Sequence, residues 1–168
     1  MFESIDQALK FLFNQAAKHP LAVKKIFFSD GGKVDAQSIR ATLDYNNSRI
    51  PTESITLARE TLSQCYNAID DQMTSLFFMY YYGYLDGYKA QIIDGLAILT
   101  EQQAALIDVV LNGYRNKSAT PLSELAKQFD LDYTTADNYC RKIRKHIAKL
   151  HAGVWEYTEQ ILIDKELI

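Results

Sequence analysis

Residues 121–150 read PLSELAKQFDLDYTTADNYCRKIRKHIAKL. Pro121 suits the first turn of a helix, where its missing N–H costs nothing. A short helix is expected over Pro121–Phe129, with Leu122, Leu125, Ala126 and Phe129 as its apolar positions. Asp130-Leu131-Asp132-Tyr133 is a four-residue turn whose Leu131 points inward. A long helix then opens at Thr134 and runs to at least Leu150. Ala136, Cys140, Ile143 and Ile147, spaced 4, 3 and 4, give it one buried stripe. Tyr133, Thr134, Thr135, Asp137, Asn138, Arg141, Lys142 and Lys145 are left on the remaining face.

Short helix, tight turn and longer helix is the geometry with which helix-turn-helix modules enter the major groove of DNA. The small Ala126 suits the point where the two helices cross. The N-terminal part of the second helix reaches base edges, so Thr134, Thr135, Asn138 and Arg141 are the candidate base-reading residues. Asn pairs bidentately with adenine and Arg with guanine. Lys142, Arg144, Lys145 and Lys149, with Arg115 and Lys117 from the preceding loop, suit phosphates. Asp132 and Asp137 oppose phosphate contact but sit near a helix start, where a carboxylate caps free N–H groups. Asp137 also suits an acceptor role toward cytosine. The bland alternative, a solvated basic face, explains the cations but not the short helix and turn before them.

Upstream, Thr100 is expected to cap a helix carrying Ala104, Leu106, Ile107, Val110 and Leu111, and Gly113 to stop it. LTEQQAALIDVVLNG (99–113), PLSELAKQFDLD (121–132) and YTTADNYCRKIRKHIAKL (133–150) together resemble the three helices of sigma factor region 4. The resemblance covers about Leu99 to His151. It departs from the family pattern at Asp130, where a Gly is usual, although Asp tolerates left-handed backbone. The loop from Gly113 to Thr120 is also longer, and nothing upstream resembles sigma region 2. More loosely, the whole layout is similar to small phage and prophage regulators, among them antiterminators of the Q type. That wider resemblance implies RNA polymerase as a partner, beside double-stranded DNA.

Downstream, Ile143, Ile147, Leu150, Val154, Tyr157 and Ile161 are spaced 4, 3, 4, 3 and 4, a heptad seam. It predicts that the long helix continues and packs on another helix, weakened at Gly153 by roughly 1 kcal/mol relative to Ala. The partner is either a second copy, giving a homodimer through the 143–161 seam, or the chain's own N-terminal helices. The segment QMTSLFFMYYYGYLDGY (72–88) holds five tyrosines. It reads either as an aromatic platform for bases or a partner, or as a core helix with a Gly83/Gly87 turn whose phenols reach the surface. The second reading is favoured, because only Lys89 supplies a nearby cation. Further upstream, Glu3–Lys18 reads as a helix with Ile5, Leu9, Leu12, Phe13 and Ala16 on one face, interrupted by His19-Pro20. Leu21–Phe28 is ambiguous, Asp30-Gly31-Gly32 is a turn, and Asp35–Tyr45 is a helix. Pro51-Thr52 opens a long one that breaks near Asp70-Asp71.

The expected fold class is therefore all-α. Residues 1–98 form a helical N-terminal domain, 99–151 the DNA-binding module and 152–168 a packing or oligomerisation helix. With 48% apolar residues among 168, a core is affordable without metal or disulfide. Charge is uneven: residues 1–114 carry 9 basic and 13 acidic groups, 115–151 carry 8 and 4, and 152–168 carry 1 and 4. A basic segment between acidic ones suits a small phosphate-docking surface. Cys65 and Cys140 form no paired motif and read as reduced and packed. No nucleophile motif, phosphate loop or metal-ligand spacing is present, so no enzyme, cofactor or metal is expected. The 76–85 apolar run is too short to span a bilayer, and no signal peptide is visible. These point to the cytoplasm and no membrane partner. The alternatives to a transcription regulator are a phage DNA-packaging adaptor of the small-terminase kind and a sigma-like module that grips polymerase without reading DNA.

Overall fold

The computed structural model describes residues 1–17, 52–100 and 103–168. The His19-Pro20 break, the 21–28 segment, the 30–32 turn and the 35–45 helix lie outside the described residues. Within them the chain is all-α, with no strand. The elements are α1 (Ile5–Ala17), α2 (Thr52–Ala68), α3 (Gln72–Tyr81), a 3-10 turn (Asp86–Tyr88), α4 (Lys89–Thr100), α5 (Ala104–Asn116), α6 (Leu122–Gln128) and α7 (Tyr133–Asp164). No helix among the described residues is long and apolar enough to cross a membrane. Two compact units emerge: Met1–Asp70 with Tyr157–Ile168, and Asp71–Glu156. The boundaries expected at 98/99 and 151/152 both fall inside the second unit. Residues 72–88 belong with the 99–151 segment, because their side chains form part of its core.

In the first unit, Ser4 and Gln7 open α1 with a reciprocal cap: the Gln7 N–H donates to Ser4 Oγ, and the Glu3 N–H to Gln7 Oε1. Ala8, Leu9, Leu12, Phe13 and Ala16 are buried, and α1 packs on α2, which buries Ile55, Ala58, Leu62 and Cys65. Each fully buried Leu contributes roughly 1.5–3 kcal/mol. The Tyr157 hydroxyl donates to Asp70. Asp71 instead caps α3 in the other unit.

In the second unit, Asp71 Oδ2 accepts from the Thr74 N–H at 2.7 Å and fixes the start of α3. Helix α3 packs on α4, and α4 on α5. Thr100 ends α4 and does not start the next helix; Gln103 N-caps α5 without a side-chain bond. Gly113 does not stop α5 either. The helix runs to Asn116 and closes on Lys117, held left-handed at φ 53°. The Ser118 N–H returns to the Gly113 carbonyl at 3.0 Å. A Cβ on Gly113 would stand 2.6 Å from the Ser118 carbonyl oxygen, so glycine is needed for close backbone approach.

Helix α6 ends in a Schellman turn: the Leu131 N–H reaches the Ala126 carbonyl at 2.9 Å, and Asp130 adopts φ 52°. Asp130 thus takes the left-handed position expected of it. Helix α7 then runs unbroken for 32 residues. Its buried positions are Ala136, Cys140, Ile143, Ile147, His151, Val154, Thr158 and Leu162. These average about 3.7 residues apart, close to a straight helix and away from the 3.5 of a heptad seam. Leu150, Tyr157 and Ile161 are therefore only half-buried, while Ile143, Ile147 and Val154 are covered within the single chain. Gly153 has a packing role as well: its Cβ would lie 3.2 Å from Thr74 Oγ1.

Candidate nucleic-acid interface

Helix α7 turns Ala136, Cys140, Ile143 and Ile147 fully inward. At 100° per residue, Thr134, Asn138, Arg141, Lys142, Lys145 and Lys149 fall within an arc of about 100° centred opposite that stripe. All six are exposed. Thr134 to Lys149 spans about 22 Å of helix. Lys142, Lys145 and Lys149 are in no ion pair among the described residues. The stripe turns acidic beyond them, at the exposed Glu156 and Glu159.

The base-reading candidates are not equally available. Asn138 and Thr134 are exposed. Thr135 is half-buried and committed to the cap: its N–H donates to Asp132 Oδ1 at 2.9 Å and its hydroxyl to Oδ2 at 2.6 Å. The Thr135 hydroxyl, then backbone N–H groups, hold the Asp132 carboxyl below the usual carboxylate range. Arg141 Nη2 pairs with Asp137 Oδ2 at 2.8 Å, one turn back. Both ends of that pair reach water, so it is worth well under about 1 kcal/mol and yields readily to a better acceptor.

The phosphate candidates divide as well. Lys117 is exposed at the end of α5. Arg144 is exposed on the flank of α7, off the main stripe. Arg115 is turned toward the tyrosine segment. Its side chain is 10% exposed, and its guanidinium lies 4.3 Å from the Tyr80 ring centroid and 5.0 Å from that of Tyr84. Nη1 donates to Asp86 Oδ1 at 2.7 Å. Its acceptor lies 29 residues away in sequence, so no local pattern announced it.

The tyrosine segment is a core and not a platform. Tyr80, Tyr81 and Tyr82 are buried, so their phenols do not reach the surface, whereas Tyr84 is 59% exposed. Lys89 pairs with Asp108 at 2.9 Å. The Tyr80 hydroxyl donates to Asn112 Oδ1 at 2.8 Å. Tyr82 and Tyr114 bind the two nitrogens of one imidazole, His151, at 2.9 Å (Nε2) and 2.7 Å (Nδ1). Trp155 Nε1–H donates to the Tyr82 oxygen at 3.1 Å. With that oxygen accepting from the indole, the Tyr82 O–H donating to Nε2 and Nδ1–H donating to Tyr114 make one consistent tautomer. The ring of His151 lies 4.7 Å from that of Tyr81 and 4.9 Å from that of Trp155. This node joins α3, α5 and α7, and it sets where the polar face of α7 points. Sequence reasoning passed over it, because a histidine in a basic helix reads as one more surface residue. Its only signal was its spacing of four from Ile147 and three from Val154.

Among the described residues no group of three or more His, Cys, Asp or Glu is arranged to hold a metal. Both cysteines are buried and unpaired as disulfides. Burial pushes the Cys65 thiol up to about 12 and raises that of Cys140, so neither is a ready thiolate. No family model, no curated protein and no solved structure matches the chain.

Proposed function

We propose that this protein is a sequence-specific DNA-binding transcription regulator that uses the 99–151 segment as a helix-turn-helix module of the sigma region 4 type. In this reading α7 enters the major groove. Asn138 and Thr134 read base edges, and Arg141 joins them when it exchanges Asp137 for guanine. Lys142, Lys145 and Lys149 neutralise phosphates, with Lys117 and Arg144 at the margin. The observation that carries the proposal is the exposed stripe of an amide, a hydroxyl and four cations opposite a fully buried apolar stripe. The resemblance to phage regulators, Q-type antiterminators included, adds RNA polymerase as the partner through which the bound protein acts.

Binding-site selection from random duplexes, followed by a salt titration on the selected site, tests this. Lys142, Lys145 and Lys149, with Lys117 or Arg144 at the margin, predict a slope of log K against log salt of roughly −3 to −4. Asn138→Ala should cost about 1–3 kcal/mol on the selected site and almost nothing on random DNA. Absence of binding to any duplex overturns the proposal. A second reading is that the same module grips polymerase without reading bases. The commitment of Thr135 to Asp132 favours it, and equal losses on both DNAs for Asn138→Ala would decide for it.

A further inference from the structure

Helix α5, the loop after it, α6 and α7 enclose a cleft of about 250 Å³. Val109, Val110 and Leu125 give it an apolar lining, and Lys117, Arg144 and Thr120 line the same space. Neither cation is in an ion pair among the described residues. One wall is held by backbone: the Ser118 N–H bonds the Gly113 carbonyl at 3.0 Å, over a glycine with no room for a Cβ. Lys117 itself sits at φ 53°, where glycine is the least costly residue. The cleft is therefore largely preformed, as small-molecule sites usually are, and it is smaller than the roughly 300 Å³ at which drug-sized pockets begin.

We infer that this cleft binds a small amphiphilic carboxylate: one ring or a branched aliphatic chain seated on Val109, Val110 and Leu125, with the acid group held between Lys117 and Arg144. Apolar lining alone would accept any small hydrocarbon. Two cations without a carboxylate partner select an anion, and Arg offers it a bidentate fork. The space is too small for a nucleotide or a peptide segment to be enclosed. The cleft shares Lys117 and Arg144 with the margin of the proposed DNA face, but binding is read on the free protein, so the test needs no DNA.

Phenylacetate is the probe, with acetate carrying the charge alone and phenylacetamide the ring alone. Titration of the full chain, followed by amide NMR shifts, should move Gly113, Lys117, Ala119 and Thr120 and saturate at about 0.1–1 mM, as expected for so few atoms. Acetate and phenylacetamide should each bind at least about fivefold more weakly. Arg144→Gln should weaken phenylacetate about fivefold, and Lys117→Gln with Arg144→Gln should abolish saturation below about 10 mM. Both positions are exposed, so the variants should fold, and their unperturbed spectra away from the cleft will show it. Equal binding of phenylacetate and phenylacetamide overturns the inference. So does retention of phenylacetate binding in the double variant, or the absence of any shift at about 10 mM.

Discussion

Two stretches of this chain are dense in polar chemistry, and they fold in opposite senses. Residues 80–82 put three consecutive phenols into the interior, while Asn138 to Lys149 put an amide and five cations into solvent. The difference lies in what surrounds them. Around α7 the polar residues avoid one apolar stripe, so burying that stripe exposes all the others. The run LFFMYY in α3 has no polar side at all, and a helix apolar all round is covered all round. The hydroxyls of Tyr80 and of the adjoining Tyr82 must then find partners inside, which Asn112 and His151 supply. Density of a residue type therefore predicts little; its phase against the apolar stripe predicts its direction.

The comparison breaks first, and hardest, at His151. His151→Ala takes a partner from both Tyr82 and Tyr114 and opens a cavity beneath Tyr81 and Trp155. It should cost about 3 kcal/mol in a urea titration, with m unchanged. A loss under about 1 kcal/mol would mean that the phenols are not anchored as described.

Two cations, one from each side of the comparison, should behave as opposites. Arg115→Met should lower stability by about 1 kcal/mol, through its lost stacking on Tyr80 and its lost pair with Asp86, yet leave the salt slope of DNA binding unchanged. Lys145→Ala should leave stability within about 0.5 kcal/mol and shave the slope by about one. If the two patterns were exchanged, so would be the roles assigned to them.

A comparable effect on stability is expected at Tyr80. Tyr80→Phe loses one hydrogen bond to Asn112, about 1 kcal/mol. The same phenol gives the alkaline limb its sign. Burial pushes it up to about 12, with the Arg115 charge pulling the other way. Its folded value lies above the unfolded one near pH 10, so its contribution is full below about pH 10 and is lost as pH rises toward about 12. Tyr80→Phe should flatten that part of the stability curve, and an unchanged alkaline limb would place the titration elsewhere.

The smallest effect is at the exposed start of α7. The Asp132 carboxyl is lowered, so its cap contributes above the ordinary carboxylate range and is lost as pH falls through the folded value. Asp132→Ala should remove that part of the acid limb, read by helicity against pH. A variant that tracks the parent would show the cap to be idle.

The all-α class, the short helix and turn before α7, the stripe Ala136–Cys140–Ile143–Ile147 and the left-handed Asp130 were all legible in the sequence. Each depends on contacts no more than a few residues apart, or on a period repeated within one helix. Helix α4 was missed because its apolar residues mark no single face; Ile92 and Leu96 are buried while Ile98 and Leu99 are exposed. Gly113 and Gly153 were read as punctuation, although what makes each a glycine is a close neighbour, and for Gly153 that neighbour is Thr74, far off in sequence.

What the sequence determined by itself is therefore which face of each strongly periodic helix turns inward, since apolar area and helical pitch are properties of the segment. Only the tertiary structure decided which polar side chains remain available. Arg115 is spent on Asp86 and Tyr80, and His151 on Tyr82 and Tyr114, while Lys142, Lys145 and Lys149 are in no ion pair among the described residues. A hydrogen bond or ion pair is satisfied by whatever the fold brings within about 3 Å, and the chain separation of those partners, 29 to 69 residues, leaves no trace in local pattern.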